Sequence, residues 1–493
     1  MAKTGRRLAG ILMPVASLPS KDGVGGFGAE AYKFVDMLAE MGMGVWQILP
    51  LHPLGYGISP YQPFSSYAGD EIYIDLKLLE KDGYLKGDRS PFEEKRPGRV
   101  EYDRARAYKA AYLREAYGVF REKSWQDGDF QTFCAMDWVY PYAVFFALKK
   151  QNGLSCWNEW LREQQNWILD RKYDISHLEE AIGYELFVQY MFYRQWMALK
   201  AYANSRKVKI LGDMPFYVGI DSADVWSCRE DFLLDEKTWK PAFVAGVPPD
   251  YFSATGQRWG NPIYNWKRME EKNFSFWLSR LRYSSTLYDI IRIDHFRAFD
   301  TYWKVPASCP TAVEGEWGEA PGYALLDEVY RQMPQIRIVA EDLGDIRPEV
   351  LTLRDHYGLL GMSGAEYNIP ERDRVMENQL IYTGTHDNQT VKGWYQSMSA
   401  RNRQRTRKML AKYGPPGESV GKKMLRYVYG SCAAMAIVPL ADVLGLGDEA
   451  RLNLPGTVGS PNWEWRLTDW KALRTRKAFL KEVIAQSGRT AAE

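Results

Sequence analysis

The stretch Tyr288-Asp289-Ile290-Ile291-Arg292-Ile293-Asp294-His295-Phe296-Arg297-Ala298-Phe299 decides the fold of this chain. Its isoleucines predict a short buried strand that ends in two charged side chains, Arg292 and Asp294. Side chains alternate between the faces of a strand, so we expect this guanidinium and this carboxylate on the same side. Burying such charges is costly unless they pair or take part in chemistry. A purely structural ion pair is the simpler alternative, and the rest of the chain decides between the two.

Length and composition narrow the class of protein. The chain has 493 residues, enough for a barrel with insertions or for two to three domains. Its 64 Lys and Arg against 62 Asp and Glu give a formal charge of +2, so neither nucleic acid nor an anionic membrane is expected as a partner. The 18 Trp and 32 Tyr include ordinary core residues. Many stand beside Gly, Pro, Asn or Asp, which suits sugars, because sugar CH faces stack on rings.

The cysteines, histidines and N-terminal stretch favour a cytoplasmic protein without a metal or cofactor. The five cysteines are scattered and predict neither a disulfide framework nor a zinc site, and the five histidines lack metal-ligand spacing. The basic segment 1–7 leads into a short apolar run that Pro14 interrupts, unlike a signal peptide. No window approaches 18 consecutive apolar residues, so no transmembrane helix is expected.

Eight short stretches are interpreted as strands, and helical patterns lie between most of them. Helices are predicted over Ala29 to Glu40 and over Glu179 to Ser205. Repeated strand–helix units predict a parallel sheet, and eight of them predict an α/β fold of the (β/α)8 barrel type. The predicted strands are Leu8–Met13, Gly44–Leu49, Val208–Asp213, the opening stretch, Ile336–Ala340, Gly361–Gly364, Leu380–Asn388 and Met435–Leu440.

Two segments interrupt this rhythm and are predicted as insertions into one barrel that spans residues 1–493. Residues 64–174 are charged, helical and rich in Trp and Tyr, so we expect a mainly helical subdomain. Residues 215–273 are rich in Gly, Pro and aromatic residues and are expected to form an aromatic loop subdomain.

The stretch Gly23–Gly28 formally satisfies the G-x-G-x-x-G pattern. A dinucleotide site needs these glycines directly at a strand end and an acidic residue at the end of the next strand. Here the nine residues from Pro14 to Asp22 intervene, and the next strand is followed by Pro50-Leu51-His52. We therefore do not expect a dinucleotide site.

Three carboxylates fall at the ends of predicted strands, where barrels place their active sites. They are Asp294 on the fourth strand, Glu341 on the fifth and Asp387 on the seventh. Each alone could be a cap or a turn residue, whereas together they predict one catalytic site. Carboxyl groups on adjacent strands suit a retaining glycoside mechanism, which needs them ~5–5.5 Å apart. Serine hydrolase chemistry would need a G-x-S-x-G elbow, which the sequence lacks.

The surroundings of these carboxylates predict a different role for each. Arg292 is expected to favour the charged form of Asp294, which would suit a nucleophile. Burial and neighbouring carboxylates are expected to raise the pKa of Glu341, which would suit a general acid and base. Asp387, beside His386, is expected to bind ring hydroxyls and distort the sugar.

Several motifs along the chain carry a family resemblance. They are Ser59–Gln62, Gly212–Pro215, the loop from Pro248 to Tyr264, Arg292–Arg297, Ala340–Gly344, Thr385–Asn388, Arg451–Thr457 and Asn462–Arg466. In this order they resemble the amylomaltases or disproportionating enzymes, which are 4-α-glucanotransferases of the α-amylase superfamily. The resemblance implies a barrel with inserted subdomains and no separate C-terminal β domain. It also implies transfer of an α-1,4-glucan segment to the 4-hydroxyl of another glucan or of glucose, in starch, glycogen or maltose metabolism.

Matched residue by residue, the resemblance implies a role for ten side chains. In a double displacement through a covalent glucosyl-enzyme, the nucleophile, acid/base and transition-state stabiliser would be Asp294, Glu341 and Asp387. The substrate-binding residues would be Asp213, Arg292 and His386 at the sugar in the −1 position, Tyr61 stacked near it, and Tyr251, Trp259 and Tyr367 on the acceptor side. The implied substrates are maltooligosaccharides, amylose or glycogen-derived glucans, with glucose as an acceptor.

Two alternatives stay open. An α-amylase-like hydrolase would use the same carboxylates, since transfer and hydrolysis resolve the same covalent intermediate. The loop from Tyr251 to Trp259 is the candidate for covering the site and favouring sugar over water. A non-catalytic glucan-binding relative would keep the barrel, but the intact carboxylates argue against it.

Overall fold

The computed structural model describes residues 7–249, 253–371 and 374–489. Twelve strands lie within these ranges. They are β1 (Leu8–Leu12), β2 (Val45–Gln47), β3 (Lys209–Met214), β4 (Phe243–Val247), β5 (Gln257–Pro262), β6 (Ile290–Ile293), β7 (Thr301–Pro306), β8 (Glu316–Glu319), β9 (Ile338–Ala340), β10 (Gly361–Gly364), β11 (Gln379–Tyr382) and β12 (Met435–Pro439).

Eighteen α-helices occur in the same ranges, and none of them is long and apolar enough to cross a membrane. They are α1 (Ala29–Glu40), α2 (Leu76–Lys81), α3 (Tyr102–Lys123), α4 (Gly128–Cys134), α5 (Val139–Gln151), α6 (Arg162–Asp170), α7 (Glu179–Ser205), α8 (Ala223–Ser227), α9 (Trp266–Glu271), α10 (Ser275–Leu287), α11 (Gly322–Gln332), α12 (Pro348–His356), α13 (Ala365–Glu371), α14 (Val391–Ser397), α15 (Ala400–Leu410), α16 (Val420–Gly430), α17 (Leu440–Leu444) and α18 (Lys471–Ser487).

Eight parallel strands form the central sheet, in the order β10-β11-β12-β1-β2-β3-β6-β9. A parallel bridge between Val339 and Leu360 joins its two edges, and the Ala340 N–H donates to the Leu360 carbonyl at 2.8 Å. Helices cover the outside, so the strands are buried on both faces and read as continuous apolar runs. The predicted (β/α)8 barrel is confirmed.

Most helices and strands that were predicted for the barrel from local sequence patterns are found in the structure. The predicted bounds of α1 and α7 are those observed, and each predicted strand corresponds to a barrel strand. The seventh strand was predicted to continue to Asn388, but β11 ends at Tyr382. The reason is a turn, because the Asn388 carboxamide oxygen accepts from the Thr385 N–H at 2.8 Å. Asp387 therefore lies in a loop beyond the strand.

Helices α2 to α6 lie between β2 and β3, within the segment predicted as a helical insertion. Helix α5 is attached to the loop after β3 by a buried ion pair, in which the Lys149 Nζ lies 2.5 Å from Asp221 Oδ2. The division of the chain at residues 64 and 174 stays a prediction.

A second, antiparallel sheet with the order β5-β4-β7-β8 lies beside the barrel. Its first two strands belong to the predicted aromatic insertion, whereas β7 and β8 follow the opening stretch and were not predicted. In this pair Trp303 lies directly opposite Trp317. The polar sequence of β8, Glu-Trp-Gly-Glu, has no apolar alternation that indicates a buried face.

Candidate active site

Two carboxylates stand side by side at the carboxyl ends of neighbouring barrel strands. Strands β6 and β9 pair Ile293 with Ala340, and the residues that follow these partners are Asp294 and Glu341. The Glu341 N–H donates to the Ile293 carbonyl at 3.1 Å, which continues the pairing to this level. Neighbouring strands lie about 4.8 Å apart, so the barrel itself sets the spacing of the two side chains.

Arg292 contacts the Asp294 carboxylate and also a third carboxylate, that of Asp213. Its Nη1 donates to Asp213 Oδ1 at 2.6 Å, and its Nη2 lies 3.0 Å from Asp294 Oδ1. Asp213 and Arg292 are register partners on β3 and β6, and both are buried, whereas the Asp294 side chain is 32% exposed. The predicted same-side placement of Arg292 and Asp294 is confirmed. Only Asp294 of these three reaches toward solvent, where a substrate can approach.

Tyr61 and His386 complete a connected set of polar groups around Asp213. The Tyr61 hydroxyl donates to Asp213 Oδ2 at 2.7 Å and lies 2.9 Å from His386 Nε2. Because the hydroxyl proton goes to the carboxylate, Nε2 of His386 carries the proton that points to the phenol oxygen. The two rings are stacked, with centroids 5.3 Å apart. The structure thus brings Tyr61, Asp213, Arg292 and His386 to one place.

Asp387 lies in the loop after β11 and is held by residues from the far end of the chain. Asn453 Nδ2 donates to Asp387 Oδ1 at 2.7 Å, and Arg451 Nη2 donates to the Asp387 carbonyl at 2.6 Å. His386 Nε2 lies 3.5 Å from Asp387 Oδ2. The motif Arg451–Thr457 was noted in the sequence, but no role was assigned to its side chains.

The pKa of Glu341 is raised, as predicted. Desolvation, opposed by Arg292, raises its pKa to about 7, with further increases from the charges of Asp294 and Asp342. A hydrogen bond from the His295 N–H to Oε2, at 2.7 Å, opposes this rise. A carboxyl group with this pKa can donate and accept a proton at neutral pH.

Arg292 favours the charged form of Asp294, as expected, but the net shift of the Asp294 pKa is upward. Desolvation raises its pKa above the ordinary value, although Arg292 acts to lower it, and the charge of Asp213 raises it further. The physical reason is that Arg292 also contacts Asp213, so only part of its positive charge is available to offset the burial of Asp294.

Two of the three residues predicted for the acceptor side, Trp259 and Tyr367, lie at the edge of this group. The Trp259 ring meets the His295 ring edge-on at 4.8 Å, and His295 directly follows Asp294. Tyr367 is exposed, and its hydroxyl accepts from Asn388 Nδ2 at 2.8 Å. Tyr251 lies outside the described residues.

His295 and Trp463 are the further site residues that sequence reasoning left without a role. His295 has a left-handed backbone, with a φ of 51°, which aims its N–H at Glu341. The Trp463 ring lies 5.8 Å from both Tyr61 and His386. Both residues lie inside motifs that carry the family resemblance, Arg292–Arg297 and Asn462–Arg466, and this was the sequence signal that could have identified them.

Comparisons with known proteins agree with this geometry. The family model of glycoside hydrolase family 77, 4-alpha-glucanotransferase, matches residues 13–472. The 4-alpha-glucanotransferase of Thermus thermophilus is 43% identical over 94% of this chain and 95% of its own, and that of Synechocystis sp. is 40% identical over 98% of each. The structure of amylomaltase from Streptococcus agalactiae in complex with acarbose superposes with a TM-score of 0.93 and 35% identity, over 98% of this chain and all of that one. The chain therefore belongs to the 4-α-glucanotransferases of glycoside hydrolase family 77, the amylomaltases.

Proposed function

We propose that this 4-α-glucanotransferase works by a retaining double displacement on α-1,4-glucans. Its donors are maltooligosaccharides, amylose or glycogen-derived glucans, and its acceptors are the 4-hydroxyls of a second glucan or of glucose. The observation that best supports this mechanism is that Asp294 and Glu341 follow paired neighbouring strands. Asp294 contacts Arg292, whereas Glu341 accepts a hydrogen bond from the His295 N–H. The structure of the Streptococcus agalactiae amylomaltase in complex with acarbose supports an α-glucan as the ligand of this chain.

In the first step the Asp294 carboxylate attacks the anomeric carbon of the donor. The glycosidic bond breaks, its electron pair stays on the leaving 4-oxygen, and that oxygen takes the proton of Glu341. Asp294, which contacts Arg292 directly, acts as the ionised group, and Glu341, whose pKa is raised to about 7, acts as the protonated group. The product of this step is a glucosyl ester on Asp294 and a free leaving glucan.

In the second step the 4-hydroxyl of an acceptor replaces the leaving glucan. The Glu341 carboxylate takes the hydroxyl proton, the oxygen attacks the anomeric carbon, and the ester bond to Asp294 breaks. Two inversions restore the α configuration, and Glu341 regains its proton for the next cycle. Water in place of the acceptor would give hydrolysis.

The neighbouring polar groups are proposed to bind the sugar at the −1 position. Asp213, Arg292 and His386 would hold its hydroxyls, and the Tyr61 ring would stack near it. Asp387 is half-buried and is fixed by Asn453, so it can place negative charge beside the anomeric carbon as positive charge develops there.

The acceptor side is proposed to favour sugar over water. Trp259 and Tyr367 would line it together with Tyr251, as parts of an aromatic subdomain over residues 215–273 that covers the site. Residues 64–174 are proposed as a helical subdomain of the same single barrel. A cytoplasmic location stays a prediction.

Maltotriose as the sole substrate tests this proposal. We expect glucose and longer maltooligosaccharides to form while the total of reducing ends stays constant. The Asp294→Asn variant should lose activity by roughly a thousandfold or more, because it lacks the nucleophile. The matched variant Asp289→Asn changes an aspartate at the other end of the same strand and should stay active.

Two outcomes would contradict the proposal. A steady rise in reducing ends would identify a hydrolase of the α-amylase type. An unchanged substrate in both the unaltered protein and Asp294→Asn would mean that the barrel binds glucan without transforming it.

A further inference from the structure

An exposed tryptophan stands on the antiparallel sheet, outside the group of residues described above. Trp317 on the edge strand β8 keeps 44% of its surface exposed, which is unusual for so large an apolar side chain. Trp303 lies opposite it on β7, with ring centroids 5.1 Å apart at 63°. Trp303 is itself fixed, because its Nε1 donates to the Ala312 carbonyl at 3.1 Å. Trp317 is therefore braced from one side by an anchored ring.

The second brace of Trp317 comes from the catalytic face of the barrel. The guanidinium carbon of Arg297 lies 4.1 Å from the Trp317 ring centroid, a close cation–π contact. Arg297 follows the nucleophile Asp294 by three residues, and it also donates to the backbone carbonyl of Asp345, four residues after Glu341. Trp317 is thus attached through Arg297 to the loops that follow both catalytic carboxylates.

The surroundings of the ring decide what kind of ligand fits it. Glu319, two residues further along the same strand, shares the face of the ring and is exposed, whereas Glu316 and Lys304 form an ion pair at 2.8 Å on the opposite face of the sheet. A protein interface needs an area of about 800 Å² on each partner with an apolar centre, which a single ring among charges does not offer. A sugar needs a flat ring for its CH face and charged or polar groups for its hydroxyls, and both are present here.

We propose that Trp317, braced by Trp303 and Arg297, is a binding platform for α-1,4-glucan outside the candidate active site. The proposal rests on the function proposed above and adds a second contact for long chains. A glucan that reaches from the active site to the platform binds through two linked contacts, which raises the effective concentration of its reacting segment. Maltotriose is too short to gain from this, so the platform would set a preference for long substrates.

Affinity electrophoresis of the full-length protein in native gels that contain soluble amylose tests this proposal. The Trp317→Thr variant removes the ring and keeps a residue with a high strand preference. We expect its dissociation constant for amylose to rise roughly three- to tenfold. Trp317→Phe keeps a ring, so its dissociation constant for amylose should lie between those of the unaltered protein and of Trp317→Thr. The matched control is Tyr140→Ala, which removes an equally exposed ring (42%) from α5 and should bind amylose normally.

Maltotriose assays of the same variants separate this proposal from the proposed function. Trp317→Thr is expected to keep its kcat/KM for maltotriose within about twofold. Unchanged retardation of Trp317→Thr in amylose gels would overturn the platform while leaving the transferase function intact. A large loss of maltotriose activity in Trp317→Thr would also overturn it, because Trp317 would then act by supporting the catalytic loops through Arg297.

Discussion

Arg292 contacts Asp213 with one side of its guanidinium and Asp294 with the other. Each carboxylate therefore receives a share of one positive charge, and desolvation raises the pKa of Asp294 and of Glu341 in spite of it. Two neighbouring carboxyl groups with raised pKa values take up and release their protons as a coupled pair. A retaining catalyst needs one group ionised to attack and the other protonated to assist departure.

The pH dependence of catalysis follows from Glu341. Its raised pKa means that the protonated, acid form is present below about pH 7 and is lost as the pH rises through that value. We expect kcat/KM for maltotriose to fall by about tenfold per pH unit on the alkaline side. A pH profile of initial rates measures this. A rate that stays constant well above pH 7 would contradict Glu341 as the group that must carry the proton.

Asn453 is expected to act through Asp387. Its Nδ2 donates to Asp387 Oδ1 at 2.7 Å, and a hydrogen bond to a charged group contributes about 1.5–3 kcal/mol. Asn453→Ala should therefore lower kcat for maltotriose by roughly ten- to a hundredfold, with a smaller change in KM. Asn453→Asp places a like charge beside Asp387 and should lower kcat further. Steady-state kinetics of both variants provide the measurement.

Asn265→Ala is the matched control for Asn453. Asn265 caps α9, where its side chain accepts from the Arg268 N–H, and its loss should cost about 1 kcal/mol of stability while kcat stays unchanged. If Asn453→Ala shows the same pattern, with lower stability and normal kcat, Asn453 is structural and does not position Asp387.

Among the elements, those with local signals were predictable. Helices α1 and α7 have apolar residues at helical spacing, and Gly42 follows the first of them as a stop signal. The end of β11 was misplaced, because a turn made by one asparagine overrides a strand-like composition. The antiparallel pair β7 and β8 was missed, because its pairing depends on neighbours in space and leaves no periodic pattern in β8.

Helix α5 offers a test of how an element outside the barrel is attached to it. Lys149 is fully buried and pairs with Asp221 at 2.5 Å, so Lys149→Met leaves an uncompensated buried carboxylate. We expect the free energy of unfolding to fall by about 3–5 kcal/mol, measured by urea denaturation. Lys150→Met is the matched control, because Lys150 is partly exposed and Glu185, its partner, has a raised pKa and can take up a proton. If both variants lost the same free energy of unfolding, the buried Lys149–Asp221 pair would contribute no more to stability than the partly exposed pair of Lys150.

At the scale of the whole molecule, the barrel explains which part of the site could be predicted. Residues that directly follow barrel strands meet at one end of the barrel by construction, so Asp294 and Glu341 could be placed from strand assignments alone. Asn453, Arg451 and Trp463 reach the same place through a long loop near the end of the chain. Periodicity does not describe the path of such a loop, so their contacts with Asp387, His386 and Tyr61 became visible only in three dimensions.

The closing pair of barrel strands has a consequence for synthesis of the protein. Strand β1 pairs with β12, and Leu8 lies opposite Met435. The barrel can therefore close only after residue 435 has been synthesised. A ribosome adds about 5–20 residues per second, and the apolar edge of β1 therefore stays open on the nascent chain for tens of seconds. During that time the edge can pair with another chain, so this barrel depends on chaperones or on slow, dilute production more than a protein with local strand pairs would.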